Sequence, residues 1–574
     1  MAYLPDMISN SAPNLPPVAF WSLAFTIVGL VARSAIRRRK LLVELPGPPP
    51  AGWFKGHFSS LVGSGSVVFQ EKIIAEYGPT LKLNGGFGDE VIFTVDPSIM
   101  HSVLVKERAK FERPPGSRLI IHAVFGGGLL GQKGDEHRIH RKVMPIFMGI
   151  AKETCQCIKK DLKLSKSSSR EVDIFPWATA AALELVGEAG LGYSFSSFTG
   201  ERNEYNIAIK SVMQVISKVD PFVKLLPFLY RIGTPSTRRW MLKHVPHKDI
   251  QQLRYAVGIQ NQLAEQVIQT RQALISSGDD LSSQAGRGRD IMTLLMKANG
   301  EGESESYIDH QAMVGHMNTF VFAGHETTST AVARILDVLA DRPRVQMRLR
   351  EEIREYFESN TDDTHYDGLL ELPYLDAVVR ETLRLHGPVS FLNRICEEDT
   401  ILPLQYPVDT PSGKITSIPI KKGTRVFMSV SVSNCYGRIW GERAHEFVPE
   451  RWIGSKIDEV TQPGAHLPGV YSSMMTFGAG SRACLGFKFA IMEIKVMIAE
   501  LVKDFKFEPS QDEHDWEVSG RLYSLFYNHC LTSVLGRHSI FNFLTSKKTS
   551  RTQQGRQSYH SRLFKSRFFY RYSL

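Results

Sequence analysis

The sequence predicts a mainly α-helical protein with small β-sheets, in which a single large domain follows an N-terminal transmembrane anchor. Three observations support this prediction. Segments with helical periodicity far outnumber strand-like ones, no internal repeat divides the 574 residues, and an uncharged apolar run lies near the N-terminus. Hydrophobic residues at 43% and charged residues at 22% are ordinary for a globular protein and exclude a disordered or collagen-like chain.

The net charge of +10 is concentrated near the two ends of the sequence. Five cations fall within residues 33–40, and residues 537–574 contain nine Lys and Arg but no Asp or Glu. The remainder is mildly acidic, which argues against a nucleic-acid-binding core and predicts no nucleic-acid partner. The six cysteines are too few and too scattered for a disulfide framework, so a reducing compartment is predicted.

Residues 15–32 carry no charge and predict a transmembrane signal anchor in contact with membrane lipid. The basic cluster that follows predicts that the large domain stays in the cytosol, with residues 1–14 on the lumenal side. A cleaved signal peptide would have its charges before the apolar run; a buried core helix is the alternative interpretation. Residues 33–50 then form a basic and Pro-rich hinge, because the four prolines of 46–50 are incompatible with a helix.

The predicted domain covers residues 51–519. Alternating polarity around Asn84-Gly85-Gly86 predicts a hairpin over 80–96, and a second strand-rich stretch falls at 398–431. Helical periodicity predicts helices at 136–164, 175–192, 202–218, 246–276, 307–340, 343–358 and 374–386.

The chemistry of the sequence is concentrated at Cys484. This cysteine lies among glycines directly before an apolar helix predicted over 487–501. Exposed N–H groups and the dipole at a helix N-terminus favour the thiolate. A single thiolate is a poor zinc site but suits one axial bond to a metal held by another group, such as haem iron. The alternatives are a buried structural cysteine and a catalytic nucleophile, although no His is recognisably placed as its base.

The run from residue 477 to residue 486 has the form F-x-x-G-x-R-x-C-x-G and resembles the haem-ligand signature of the cytochrome P450 monooxygenases, in particular their microsomal fungal members. The resemblance implies the cytochrome P450 fold, haem b as the cofactor and Cys484 as the axial ligand of its iron. The residues that match the signature and are expected to contact the cofactor are Phe477, Gly480, Arg482, Cys484 and Gly486.

The sequence AGHETT at 323–328 lies within a predicted helix and resembles the oxygen-activation motif of the same family. A glycine inside a helix costs ~1 kcal/mol relative to Ala, and here it would let haem and dioxygen approach the backbone. The resemblance assigns catalysis to Glu326 and Thr327, which would deliver protons. An ordinary bent helix is the alternative.

The resemblance also implies a buried ionic cluster. Glu381 and Arg384 have the spacing E-x-x-R, which places both on one helix face. Arg451 would complete the cluster, with a structural role. Without the resemblance, the same pattern would indicate a solvated helix face.

Two further cations are expected to bind the haem propionates together with Arg482. They are Arg141, in a segment that corresponds to the W-x-x-x-R helix of the family, and Arg394. His137 occupies the position where Trp is usual, and its ring N–H could also donate to a propionate.

The resemblance implies a monooxygenase of the endoplasmic reticulum membrane, anchored by a single pass. It would insert one oxygen atom of O2 into a lipophilic terpenoid, steroid or polycyclic aromatic substrate, in secondary metabolism or xenobiotic oxidation. No flavin or nicotinamide domain is recognisable, so electrons would come from NADPH-cytochrome P450 reductase, with cytochrome b5 as an additional candidate. Apolar residues at 120–125 and 389–392 are expected to line the substrate pocket.

The segment 520–574 does not map onto the strands that usually close this family, and it remains an unassigned atypical basic tail. It is interpreted either as a surface-binding extension or as a wrong reading of the gene end. Two other functions therefore stay open. One is a haem-thiolate isomerase or dehydratase, against which Glu326 and Thr327 argue; the other is a haem-binding protein made inactive by its C-terminus.

Overall fold

The computed structural model describes most of the chain between residues 41 and 509. The described ranges are 41–52, 56–61, 65–125, 144–164, 169–198, 226–277, 308–360, 366–454 and 459–509, with short pieces within 290–296 and at 517–519, 531–533 and 540–545. Apart from Gly29, the predicted anchor at 15–32 lies outside these residues. The same holds for residues 33–40, His137 and Arg141.

Helices predominate among the described residues and the sheets are small, which confirms the mainly α-helical part of the predicted fold class. The described residues give no support to the transmembrane anchor in that prediction. The helices are α1 (Ser66–Tyr77), α2 (Pro97–His101), α3 (Pro115–Phe125), α4 (Met144–Leu164), α5 (Ile174–Leu185), α6 (Leu226–Leu229), α7 (Pro235–Lys243), α8 (Lys248–Ser277), α9 (His310–Ala340), α10 (Pro343–Ser359), α11 (Tyr366–Leu370), α12 (Pro373–Leu385), α13 (Val430–Ser433), α14 (Gly437–Trp440) and α15 (Phe487–Asp504). In the described part of the chain, no helix is both long enough and apolar enough to cross a membrane.

The strands form one five-stranded sheet and four smaller sheets. The strands are β1 (Thr80–Asn84), β2 (Glu90–Thr94), β3 (Phe111–Glu112), β4 (Ser169–Asp173), β5 (Phe391–Cys396), β6 (Thr400–Thr410), β7 (Gly413–Ile420), β8 (Arg425–Ser429), β9 (Gly469–Tyr471), β10 (Met474–Ala479), β11 (Phe505–Glu508), β12 (Glu517–Ser519), β13 (Leu531–Ser533) and β14 (Ile540–Thr545). The largest sheet has the order β1-β2-β8-β5-β3. Its β2–β8 pair is parallel and its other pairs are antiparallel.

The predicted elements agree with the structure where both can be compared. The hairpin expected over 80–96 is the β1–β2 pair, in which Thr80 lies opposite Thr94. The helices expected at 343–358 and 374–386 correspond to α10 and α12.

The C-terminal segment contains strands that the sequence analysis did not recognise. β13 pairs with β12, and β14 lies between β11 and β4 in an antiparallel three-stranded sheet. Phe543, for example, lies opposite Phe507 on one side and Arg170 on the other. Residues 531–533 and 540–545 therefore belong to two of the sheets.

Helix α9 forms the centre of the molecule. Most of its length is buried, and it packs against α5, α8, α12 and α15. The largest hydrophobic cluster joins these helices. Two smaller clusters lie around the β-sheets. The consequence for function is that α9, which carries the motif at 323–328, is in direct contact with α15, which directly follows the cysteine motif.

Candidate active site

Cys484 lies in a tight loop between β10 and α15. Its backbone N–H donates to the carbonyl of Phe477 (2.8 Å), and the N–H of Ala483 donates to the carbonyl of Gly480 (3.1 Å). Gly486 is the N-cap residue of α15. The thiol is therefore presented at the start of an 18-residue helix, where the helix dipole favours a negative charge.

Two glycines give the loop its shape. Gly478 and Gly480 have φ angles of +72° and +65°, in the left-handed region that disfavours side chains. A Cβ atom on Gly480 would also lie 2.1 Å from the carbonyl oxygen of Leu104. The loop thus depends on glycine both for its backbone conformation and for its contact with the segment after α2.

The remaining described cysteines have surroundings that favour the thiol. Cys155, Cys396 and Cys435 are buried, and burial raises the pKa of each; for Cys435 the pKa rises to about 12. Cys157 is half-buried, and partial desolvation also raises its pKa. Cys484 is also half-buried, so it is accessible to a ligand.

Three arginines come together near the end of the β3–β5 pair. Arg113 follows β3, Arg394 lies in β5, and Arg482 lies in the cysteine loop. Arg482 pairs with Glu112 (3.1 Å between Nη2 and Oε1), and Arg394 Nη1 donates to the carbonyl of Asn393 (2.9 Å). The cluster has more positive than negative charge.

The electrostatics of this cluster suit an anionic ligand. Burial, followed by repulsion from neighbouring arginines, lowers the pKa of Arg394 to about 9; burial and the nearby Arg482 lower that of Arg113 to about 10. The Nε atom of Arg113 is buried without a hydrogen-bond partner among the described residues. Buried cations normally need paired anions, and two propionate groups would provide them. The residues present therefore fit haem, with its one axial ligand and two carboxylates.

Arg113 was not identified from the sequence. Its neighbours in the structure, Arg394 and Arg482, are far away in the chain, and the antiparallel pairing of Glu112 with Ile395 brings them together. The one local signal is its position between a short strand and Pro114-Pro115.

The predicted catalytic pair lies in the middle of α9. Thr327 Oγ1 donates to the carbonyl of Ala323 (2.7 Å), which is the bond to residue i−4 expected for a helical threonine. Glu326 is mostly buried, with 16% of its side chain exposed, and its Oε2 lies 3.3 Å from Nε2 of His325. His325 Nδ1 in turn lies 2.7 Å from the carbonyl of Val321. The carboxyl group of Glu326 is thus held beside a buried imidazole.

Gly324 has a packing role that the sequence analysis did not anticipate. A Cβ atom at this position would lie 2.3 Å from Cγ2 of Val186, at the start of the π-helical turn Val186–Leu191 after α5. The glycine therefore allows close approach of the turn after α5, in addition to any approach by haem and dioxygen.

The structure brings Glu381, Arg384 and Arg451 together. Arg384 donates from Nε and Nη2 to the two carboxylate oxygens of Glu381 (2.9 and 2.8 Å), and both side chains are fully buried. Arg451 Nε lies 3.4 Å from Oε1 of Glu381. The backbone N–H of Val448 and the indole N–H of Trp452 also donate to this carboxylate. The cluster joins α12 to the segment 443–452.

Several residues of the expected substrate pocket are buried and apolar. Ile120 and Val124 of α3 are buried, as are Val389 and Leu392 at the start of the β5 region.

Phe477 packs edge-on against Tyr471 (ring centroids 5.5 Å apart).

Comparison with known proteins places these features in a family context. Residues 46–527 match the sequence profile of the family described as cytochrome P450. The matched range includes the cysteine loop, the α9 motif and the Glu381 cluster.

Curated fungal proteins are similar over most of their length. Cytochrome P450 monooxygenase 219 of Postia placenta is 35% identical over 518 residues, which are 87% of this chain and 94% of that protein. A ganoderic acid synthetase of Ganoderma lucidum is 34% identical over 514 residues (84% and 91%). A cytochrome P450 monooxygenase of Hericium erinaceus, eriI, is 31% identical over 515 residues (85% and 92%).

Proposed function

The chain belongs to the cytochrome P450 family, and on that premise we propose that it inserts one oxygen atom of O2 into a lipophilic substrate. The observation that carries this proposal is the half-buried Cys484 at the start of α15, together with the three arginines Arg113, Arg394 and Arg482. The first would supply a thiolate ligand for the haem iron, and the others would supply cations for the two propionates. Haem b, when bound, supplies the activation of dioxygen by two electrons.

Cys484 would hold the iron through its thiolate. The hydrogen bonds of the loop and the glycine conformations at 478 and 480 fix the position of its backbone. The loop would thus provide both the attachment point of the cofactor and an electron-donating thiolate ligand for its iron. Arg113, Arg394 and Arg482 would orient the cofactor through charge-assisted hydrogen bonds, with Arg141 and His137 as additional proposed contacts.

Glu326 and Thr327 would hold and deliver the protons that the reaction consumes. The Thr327 hydroxyl already makes a bond to the carbonyl of Ala323, and redirecting this hydroxyl toward a ligand would open the helix locally. Glu326 would resupply the proton, because it is the ionisable group next in the chain. General acid assistance of this kind contributes roughly 10²–10⁴-fold to a rate.

The substrate is proposed to be a terpenoid, a steroid or a polycyclic aromatic compound. Ile120, Val124, Val389 and Leu392 offer apolar side chains and no charge, which favours a lipophilic molecule. One relative, from Ganoderma lucidum, is named a ganoderic acid synthetase, and this name supports testing for an oxidation in secondary metabolism. Oxidation of xenobiotics is the other role to test.

Electrons are proposed to come from NADPH-cytochrome P450 reductase, with cytochrome b5 as a second donor. We further propose that residues 15–32 anchor the protein in the endoplasmic reticulum membrane. Their uncharged composition and the basic cluster that follows them support this location.

Product analysis tests the function directly. The full chain would be incubated with NADPH and reductase across a panel of terpenoids, steroids and polycyclic aromatics under ¹⁸O2. A product that contains one ¹⁸O atom and depends on NADPH is the expected result. A product formed without NADPH and without ¹⁸O would instead indicate an isomerase or dehydratase, and haem binding without any product across the panel would contradict the proposal.

A further inference from the structure

A buried carboxyl group on α15 is not used by the mechanism above. Glu493 is fully buried, and its Oε2 accepts a hydrogen bond of 2.8 Å from the hydroxyl of Thr328 on α9. Its Oε1 is buried without a hydrogen-bond partner among the described residues. Burial raises the pKa of Glu493 well above its ordinary value, and the bond from Thr328 offsets this only in part. Burial therefore favours the protonated form of this carboxyl group.

Thr328 differs from the other threonines of α9. Thr319, Thr327 and Thr330 each donate to the carbonyl four residues earlier in the same helix, at distances of 2.7–2.8 Å. Thr328 instead donates across to α15. The Thr328 hydroxyl thus makes a hydrogen bond between two helices and not one within α9.

The location of this bond links the two halves of the site. Thr328 directly follows the catalytic pair Glu326 and Thr327, and α15 begins three residues after Cys484. Since both bonded side chains are buried, the bond is shielded from competing water. The bond therefore connects the turn that carries Glu326 and Thr327 to the helix that follows the cysteine loop.

We propose that Glu493 is a positioning residue for proton delivery, which holds the Glu326–Thr327 turn of α9 in register with α15 through its bond to Thr328. The proposal rests on the monooxygenase function proposed above. Glu493 acts here as a hydrogen-bond acceptor and gives up no proton during the reaction.

Four variants of the haem-loaded full chain separate this role from others. Glu493→Gln keeps a neutral acceptor of the same size, and Glu493→Leu removes the acceptor. Thr328→Val removes the hydroxyl at nearly constant shape, and Thr328→Ser keeps it. The reduced carbon monoxide spectrum of each variant first establishes that haem is bound through thiolate.

Amide hydrogen exchange of the α9 peptide around Thr328 is the readout that needs no substrate. Exchange should be about 3- to 10-fold faster in Glu493→Leu and Thr328→Val, as expected for the loss of one net hydrogen bond. It should be unchanged in Glu493→Gln and Thr328→Ser. A peptide from α12 serves as the control for global destabilisation. The double variant Glu493→Leu/Thr328→Val should be no faster than either single variant, because both remove one interaction.

Peroxide released per NADPH, measured with reductase and an accepted substrate of the panel, should rise in Glu493→Leu and Thr328→Val only. Equal uncoupling in Glu493→Gln would overturn the proposal, because it would show that the acidic proton itself is needed. Unchanged exchange and coupling in Glu493→Leu and Thr328→Val would also overturn it, as would equal acceleration of exchange in α9 and α12. If even the native chain forms no product, the proposed function fails. The amide hydrogen exchange of the variants then still decides whether the bond between Thr328 and Glu493 fixes α9.

Discussion

Cys484 differs from the buried cysteines of this protein in its surroundings. Cys155, Cys396 and Cys435 are buried, and burial raises the pKa of each thiol. Cys484 is half-buried at a helix N-terminus. The same side chain is thus inert at three positions and suited to metal binding at the fourth.

Replacement of Cys484 should change the spectrum of the haem. Reduced protein with carbon monoxide should show the far red-shifted Soret band that a trans thiolate produces, and Cys484→His should abolish it. Cys435→Ala is the matched control and should keep the band, because that thiol is buried and remains protonated. If the far red-shifted band persists in Cys484→His, Cys484 is not the ligand.

Thr327→Ala should uncouple the reaction without loss of the cofactor. Only a hydroxyl and a methyl group are lost, so haem and substrate should still bind. Because proton delivery is impaired, NADPH consumption should continue with peroxide release, and product per NADPH should fall by roughly 10²-fold or more. Thr327→Ser, which keeps the hydroxyl, is the control. Full coupling in Thr327→Ala would show that another group supplies the proton.

Residues that belong to short motifs could be predicted from the sequence. Residues that lie at the site only because distant elements pair or pack together could not. Cys484, Glu326 and Thr327 stand out because glycines or a helical position mark them. Arg113 and Glu493 carry no such mark, since Arg113 depends on strand pairing with β5 and Glu493 on the packing of α15 against α9.

At the scale of elements, the contact between α5 and α9 depends on Gly324. A methyl group there would lie 2.3 Å from Val186 Cγ2, and valine has little rotamer freedom with which to move away. Overpacking of this kind costs about 1–3 kcal/mol, whereas replacing a helical glycine with alanine contributes about 1 kcal/mol of stability. The cost of overpacking against Val186 therefore exceeds the gain in helix propensity.

The effect of Gly324→Ala on stability should change sign with the residue at position 186. In the native chain, Gly324→Ala should lower the free energy of unfolding. In the Val186→Ala background the clash is gone, and the same substitution should raise it by up to about 1 kcal/mol. Denaturant unfolding of the four chains measures this cycle. Destabilisation of equal size in both backgrounds would contradict the packing role of Gly324.

Helices were predicted more successfully than strands because their signal is local. The periodicity that defines α10 and α12 is contained within each segment. β14 instead depends on β4 and β11, which are distant in the chain, and only the fold reveals the register that places Phe543 opposite Phe507.

At the scale of the whole molecule, β14 completes the sheet that joins β4 to β11. A chain that ends after Ser519 lacks β13 and β14, so β4 and β11 lose the strand between them. This chain should show a lower unfolding temperature and poorer haem retention than the full chain. A chain that ends after Thr545 keeps every described strand and is the matched control. Equal behaviour of the two truncated chains would show that these strands contribute no stability.

Removal of residues 1–40 should release much of the protein from membranes while leaving the haem spectrum intact. The cut is placed at residue 40 because the Leu41 N–H donates to Glu90 (2.8 Å) and Leu45 is buried. Sedimentation of the truncated and full chains with microsomes, followed by the reduced carbon monoxide spectrum, measures both properties. If the truncated chain sediments completely, another segment binds the membrane. The candidates are residues 222–230, which are mostly apolar, and the basic C-terminus.

The position of β14 also determines when the sheet of β4, β14 and β11 can form during synthesis on the ribosome. β4 is synthesised early, yet the strand that pairs with it lies at 540–545. At about 5–20 residues per second, roughly 20–70 s pass between the synthesis of β4 and the synthesis of β14. Through that interval β4 lacks this partner strand, and β11 lacks it from its own synthesis at 505–508 onward, so both strand edges are open to association with other chains. Chaperone binding to the nascent chain is therefore expected to persist until translation has passed residue 545.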